Sequence, residues 1–280
     1  MSLTKPRIVI LLLVTTLPAM FLAHEGVPAV GLMVATLIGG SFAAMGANVA
    51  NMVLDRDIDQ LMQRTLHRPL PMGLITPRSA TVLAAGLEVA AAVVLVVWVN
   101  VLSAALALGA AAFYIVVYTL WLKRRSPSNI VIGGAAGAVP PLVGWAAVEG
   151  NISWASVLLF ALVFFWTPPH FWALAVRYRD DYQAAGVPML PVVADFRRVA
   201  NRILSYTFIV VALSLVFAPV ADMTLFYFLC AAVLGAVFIA YAVGVRRILT
   251  AEFAIKLFFF SMLYVVLLFG AITADVLLIS

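Results

Sequence analysis

Charge is scarce in this sequence. Only 10% of its residues are Asp, Glu, Lys or Arg, and 65% are hydrophobic, against roughly 45–50% apolar residues in an ordinary soluble domain. So little polar surface excludes a soluble globule and makes the bilayer the solvent. Cysteine is nearly absent too. Cys230 stands alone inside an apolar run, which excludes an intramolecular disulfide and leaves the redox compartment open. The chain carries no G-x-x-x-x-G-K, no H-E-x-x-H, no C-x-x-C and no dinucleotide fingerprint. Its net charge of +5 does not point to nucleic acid, because the bases fall in short clusters between apolar runs and form no continuous stripe. No small-residue cleavage site ends the first apolar run, and no Arg- and Ser-rich leader precedes it. A bacterial inner membrane is the expected home.

What is abundant is long apolar sequence. Nine segments can be drawn, at 8–23, 28–54, 80–98, 102–121, 130–148, 154–175, 203–221, 223–243 and 257–278. They are too long for strands and rich in Leu, Ala and Val without alternation. Backbone groups in lipid must be satisfied within the segment, so helices are expected. The expected fold is all-α, a polytopic bundle of nine transmembrane helices of about 20 residues each, with residues 1–280 as one transmembrane domain. Segment 28–54 exceeds one crossing, so its end should emerge from the hydrocarbon.

With the N-terminus inside, every one of the 17 Lys and Arg residues falls on one face, from Lys5 and Arg7 to Arg246, Arg247 and Lys256. The opposite loops hold Glu25, Glu149 and Asp222 but no base. The positive-inside rule then sets a cytoplasmic N-terminus and an external C-terminus. Two long loops on the basic side, 55–79 and 176–202, each carry Asp, Arg and a Pro-rich stretch (Pro69-Leu70-Pro71 and Pro188-Met189-Leu190-Pro191). They suggest a weak internal repeat facing one site.

The densest chemistry lies in Asn48-Val-Ala-Asn51-Met-Val-Leu-Asp55-Arg56-Asp57-Ile-Asp59. Residues four apart share a helix face, so Asn51, Asp55 and Asp59 form one stripe and Asp57 points away. Two carboxylates and an amide at the end of an apolar helix call for a cation. Hard oxygen ligands suit Mg²⁺, which takes one or two carboxylates together with phosphate oxygens. Arg64 and Arg68 follow, able to grip phosphate bidentately. Metal, phosphate and lipid together imply a diphosphate on a hydrophobic tail. The plain alternative is a loop in which Asp residues neutralise nearby Arg.

The run from Asn51 through Asp55-Arg56-Asp57-Ile58-Asp59 to Arg64-Thr65 and Arg68-Pro69-Leu70-Pro71 resembles the first aspartate-rich motif of the intramembrane aromatic prenyltransferases. Tyr118-Thr119-Leu120-Trp121-Leu122-Lys123-Arg124, Asn129-Ile-Val-Ile-Gly133-Gly134, Trp166-Thr-Pro168-Pro169-His170-Phe171-Trp172 and Asp181-Tyr182 through Pro191 are similar to the heme O synthase branch of that family. Residues 48–193 carry the likeness. It implies Mg²⁺ at Asn51, Asp55, Asp59 and Asp181, with Lys123 and His170 also catalytic. Arg56, Arg64, Arg68, Tyr118, Arg124 and Trp172 are implied as substrate contacts. The wider family has an Asp-x-x-x-Asp motif on the loop after the sixth span. Here Asp180-Asp181-Tyr182 replaces it, with Ala185 at the second Asp position and Asp195 a distant spare.

The implied reaction joins the farnesyl group of farnesyl diphosphate to a vinyl group of heme b, with water addition, giving heme o. A downstream heme-modifying enzyme or terminal oxidase would be a natural partner. Aromatic faces at Tyr118, Trp121, Phe165, Trp166, Phe171 and Trp172 are candidates to stabilise the allylic cation, although any one such residue more often packs or anchors at the interface. His170, at membrane depth beside two prolines, could contact heme iron or a propionate, move a proton, or bond a freed carbonyl. His67 is a weaker diphosphate candidate, His24 lies on the far side, and Glu88 should face the bundle interior. Two other functions fit the composition. One is a prenyltransferase for a quinone precursor or chlorophyllide, and the other a heme or lipid transporter with the charged loops as its gate.

Overall fold

The computed structural model describes the backbone of residues 6–279 and the side chains of residues 14–278; Lys5 and the Arg7 side chain lie outside the described residues. Among those residues there is helix and loop but no strand. Helices α1 (Pro6–His24), α2 (Val30–Leu54), α3 (Arg56–Asp59) and α4 (Pro77–Trp98) come first. Then α5 (Val101–Phe113) runs on as a π-helical segment, Tyr114–Leu122. Next are α6 (Asn129–Ala138), α7 (Pro140–Glu149) and α8 (Trp154–Arg177). The short α9 (Arg179–Ala184) and α10 (Leu190–Val193) lead into α11 (Phe196–Val220), α12 (Leu225–Ile248) and α13 (Ala251–Ala274). Eight rods are long and apolar enough to cross a membrane, and the described part of α1, Val14–His24, is a shorter apolar helix. With α1 they make nine rods among the described residues.

Polar residues in the loops begin these rods. Thr76, Asn100, Asp195 and Thr250 each accept a backbone N–H three residues on, and Ser153 forms a reciprocal capping box with Ser156, so a free donor of each first turn is satisfied. Gly150, in the left-handed region at φ 67, ends α7. Caps rather than apolar runs set the boundaries. The cap at Asp195 starts α11 at Phe196, seven residues before the apolar stretch at 203. Thr250 likewise starts α13 six residues before 257. The expected segment 130–148 is two helices in line, because Pro140 has no N–H to continue the first.

The two halves of the bundle pack differently. Phe217, Tyr227, Phe238, Tyr264 and Phe269 fill the core among α8, α11, α12 and α13. Ala43, Ala91, Ala104 and Ala107 line the contacts of α2, α4, α5 and α7. Small residues bring backbones together but leave space where the rods diverge. A cavity of about 290 Å³ opens between α2, α5, α6 and α8, walled by Gly40, Ala44, Asn48, Ala111 and Gly137.

Candidate active site

The C-terminal end of α2 carries the stripe. Backbone bonds from Asp55 N to Asn51 O and from Asp59 N to Asp55 O, both 2.9 Å, carry helical spacing through the break before α3. Asn51, Asp55 and Asp59 are therefore buried together at 3%, 0% and 2% exposure. Asp57 faces outward, its side chain 60% exposed. Asn51 Nδ2 donates to Asp55 Oδ2 at 2.7 Å and to Thr119 Oγ1 at 3.1 Å. Lys123 Nζ pairs with the same Asp55 oxygen. Arg68 Nη1 donates to Asp59 Oδ2 at 2.6 Å, and Thr65 Oγ1 donates to the Asp59 carbonyl at 2.9 Å, folding the loop back so that Arg68 can reach.

The π-helical segment places Lys123. Its N–H donates to the Tyr118 carbonyl, five residues back, at 2.8 Å, and Asn129 Nδ2 donates to the Lys123 carbonyl at 3.3 Å. Thr119 Oγ1 also donates to the Tyr114 carbonyl at 2.9 Å. One line of hydrogen bonds thus joins Tyr114, Thr119, Asn51 and Asp55.

The two basic-side loops meet. Arg64 N–H donates to Asp181 Oδ2 at 3.1 Å and Arg64 Nη2 to the Tyr182 hydroxyl at 3.4 Å, while the guanidinium lies over the Tyr178 and Tyr182 rings at 5.4 and 6.0 Å. Burial pushes the Tyr182 phenol up, so it stays a neutral acceptor.

Other expected residues lie elsewhere. Arg124 donates to both oxygens of Asp57 at 2.7 Å and to the Leu54 carbonyl at 3.0 Å. Its hydrogen bonds hold the Asp57 carboxyl down to about 2. Arg56 is exposed and donates to the Val53 carbonyl at 3.1 Å. Trp172 is buried against Tyr206 between α8 and α11. His67 and His24 are exposed. Glu88 is half-buried in the seam with α2, where a Cβ on Gly46 would meet its Oε1 at 2.7 Å.

His170 is seated between α8 and α13, stacked between Trp166 at 4.2 Å and Phe258 at 4.5 Å. Its Nδ1 is 2.7 Å from Ser261 Oγ. That hydroxyl also donates to the Phe258 carbonyl at 2.7 Å; the tautomer that accommodates both bonds carries its proton on Nδ1 and its lone pair on Nε2. Thr167 and Phe171, its neighbours on α8, line the cavity.

Hard-cation chemistry fits the stripe. Asp55 Oδ1 is buried with no hydrogen-bond partner and lies 3.9 Å from Arg124 Nη2. A carboxylate oxygen in that position is free to meet a ligand. Among the described residues no three His, Cys, Asp or Glu side chains converge to form a cage. A hard ion held by two carboxylates and an amide would take the rest of its shell from phosphate oxygens and water. Asn48, Tyr114, Tyr118 and Phe171 wall the cavity on the stripe's side, so anion-binding and apolar surfaces adjoin.

Sequence reading gave Tyr114 and Ser261 no place and quoted Thr119 in a motif without a role. The signal for Tyr114 was an aromatic four residues before Tyr118. Ser261 gave none, because its partner His170 lies 91 positions away.

A family model described as "UbiA prenyltransferase family" matches residues 12–264. A protoheme IX farnesyltransferase of Nocardioides sp. is 51% identical over 99% of this chain and 90% of its own length. One from Cutibacterium acnes is 53% identical over 98% and 83%. In three dimensions the chain is similar to a digeranylgeranylglyceryl phosphate synthase, with TM-score 0.81 and 18% identity over 98% of this chain and 96% of that one. It is also similar to a UbiA homolog from Archaeoglobus fulgidus bound to GPP and Mg²⁺, with TM-score 0.66 and 19% identity over 97% and 98%. The apolar helices, the buried carboxylate stripe and these relatives agree, and the chain is a membrane enzyme belonging to the UbiA prenyltransferase family.

Proposed function

We propose that this enzyme transfers the farnesyl group of farnesyl diphosphate to a vinyl group of heme b and that water addition then gives heme o. The observation that carries the reading is the juxtaposition of the buried Asn51–Asp55–Asp59 stripe, with Lys123, Arg68 and Arg64, and an apolar cavity. From Asn48 to Thr36, both on the cavity wall, α2 rises about 18 Å at 1.5 Å per residue, which suits an extended farnesyl chain. The names of the relatives support the acceptor.

Asn51, Asp55 and Asp59 would hold one Mg²⁺ and Asp181, on the opposite loop, a second; the GPP and Mg²⁺ bound to the Archaeoglobus homolog support metal-assisted diphosphate binding. Bound there, the ions would neutralise charge on the departing diphosphate. Lys123, Arg68 and Arg64 bind the diphosphate oxygens and stabilise the charge that grows as the allylic C1–O bond breaks, its electron pair leaving with the diphosphate. The cavity wall excludes water from the cation. The vinyl π electrons form the new carbon–carbon bond, and water then adds to the resulting cation and loses a proton. His170 meets the acceptor through Nε2, as a ligand to the heme iron or as the proton's acceptor. The basic loops face the cytoplasm of a bacterial cell.

Purified protein given farnesyl diphosphate, Mg²⁺ and heme b should release diphosphate. Mass spectrometry should show the heme enlarged by one farnesyl group and one hydroxyl. Prenylation of a 4-hydroxybenzoate-type ring with heme untouched would overturn the acceptor. No diphosphate release with either acceptor, from protein shown to be folded, would overturn the reaction.

A further inference from the structure

An allylic cation needs a ring face beside it, and the aromatic residues around this site divide sharply by position. Trp166 is stacked on His170 and donates its indole N–H to the Ser261 carbonyl at 2.8 Å. Trp172 meets Tyr206 edge-on at 5.3 Å, and Phe165 meets Phe164 edge-on at 5.1 Å. All three pack into the core between α8, α11 and α13. Trp121 points outward, 55% exposed. Tyr114, Tyr118 and Phe171 are the aromatic rings on the cavity wall.

Tyr114 and Tyr118 act as a pair. They open the π-helical segment, a form that inserts extra residues into a turn and recurs at functional sites. Their rings stack at 5.2 Å and 20°. Behind Tyr118, α6 approaches so closely that a Cβ on Gly133 would collide with the ring. Tyr118 is therefore buried, wedged between a neighbouring ring and a helix backbone, while Tyr114 is half-buried at the cavity wall. The backbone of Tyr114 is tied through Thr119 and Asn51 to Asp55. The ring is thus held in register with the residues that would grip the diphosphate.

We infer that Tyr114, braced by Tyr118, supplies the ring face that stabilises the allylic cation during farnesyl transfer. This rests on the prenyl-transfer reading given above. The C1–O electron pair leaves with the diphosphate, and the vinyl π electrons close the new bond. The tyrosine ring forms and breaks none, and its negative face offsets the positive charge between those two events. Tyr114 is thereby a catalytic residue, and Tyr118 and Gly133 are positioning residues. The phenol hydroxyl is dispensable in this role, whereas the electron density of the ring is not.

The test replaces Tyr114 with phenylalanine and then, by nonsense suppression, with mono-, di- and trifluorophenylalanine, which keep the ring's shape while withdrawing charge from its face. Single-turnover diphosphate release should stay within about threefold of wild type for Tyr114→Phe and fall stepwise by about tenfold or more to the trifluoro ring. Binding of farnesyl diphosphate should remain within about twofold across the series, which also shows that each variant is folded. The same series at Phe165 should leave the rate flat. A flat series at position 114, or complete loss in Tyr114→Phe, would overturn the inference and leave the stack as packing or the hydroxyl as the active group. If wild-type protein released no diphosphate with any acceptor, the prenyl-transfer reading would fall first and this one with it.

Discussion

Arg124 grips Asp57 through both terminal nitrogens at 2.7 Å, and with one of them also reaches the Leu54 carbonyl at 3.0 Å. A cation at a helix C-terminus interacts favourably with the helix dipole, so the pair steadies the end of α2 one residue before Asp55. Ordinary surface pairs contribute little, but bidentate geometry is the recognised exception. Arg124→Gln and Asp57→Asn should therefore each weaken farnesyl diphosphate binding by about tenfold. The Asp57→Arg, Arg124→Asp double variant should recover part of the loss. No recovery in the exchange would mean that the pair does not act as a unit.

The same pair predicts a pH window. Asp57 is held down to about 2 from its ordinary 3.8, so its stabilisation is complete above the unfolded value and fades as pH falls toward the folded one. In detergent, the melting-temperature difference between wild type and Asp57→Asn should be constant from pH 8 to 5 and shrink only below about pH 4. A difference already gone at pH 6 would contradict the assignment.

Asp55→Asn and Asp59→Asn should each lower turnover by about 100-fold or more, near 2.7 kcal/mol of transition-state stabilisation. An amide cannot supply the anionic charge that a hard divalent ion requires. Mn²⁺ binding, read by electron paramagnetic resonance, should weaken in both. Full turnover in either variant would remove that carboxylate from the site.

Asp181 should separate charge from geometry. Asp181→Asn keeps an oxygen to accept the Arg64 N–H, whereas Asp181→Ala loses that bond and the charge together. Turnover should fall by about tenfold in the first and about 100-fold in the second. Equal losses would show that the tie between the loops contributes nothing.

Ser261→Ala should remove the acceptor that orients the His170 ring, and should weaken heme binding about tenfold with farnesyl diphosphate binding unchanged. His170→Ala should do the same more severely. Equal effects on both ligands would argue that His170 only packs α8 against α13.

Much of this arrangement could be read from the sequence. Apolar length gave the rods, because lipid leaves the backbone few alternatives. Four-residue spacing gave the burial of Asn51, Asp55 and Asp59 on one face, and the paired Pro-rich loops do meet, at Arg64 and Asp181. What could not be read arises between elements. The start of α11 was missed because a capping Asp195 extends the rod through charged residues that no membrane criterion would include. The grip of Arg124 on Asp57 depends on how α2 lies beside the π-helical segment, 67 residues on, and single-chain spacing is blind to that. Trp172 looked like a ligand contact by its company in the sequence, yet its helical face turns toward α11.

The π-helical stretch Tyr114–Leu122 has a consequence for insertions and deletions. Each residue of an α-helix turns the chain by about 100°. A π-helical turn holds one residue more than an α-helical one, so removing one residue between Tyr118 and Lys123 would let the rod close to an ordinary α-helix with Lys123 still near the face it shares with Tyr118. The same deletion made in α5, before Tyr114, would carry both tyrosines and Lys123 around together and preserve their spacing. The π segment is thus a link with slack for one residue, whereas a residue lost from α5 would turn the aromatic and the ionic groups away from α2 together.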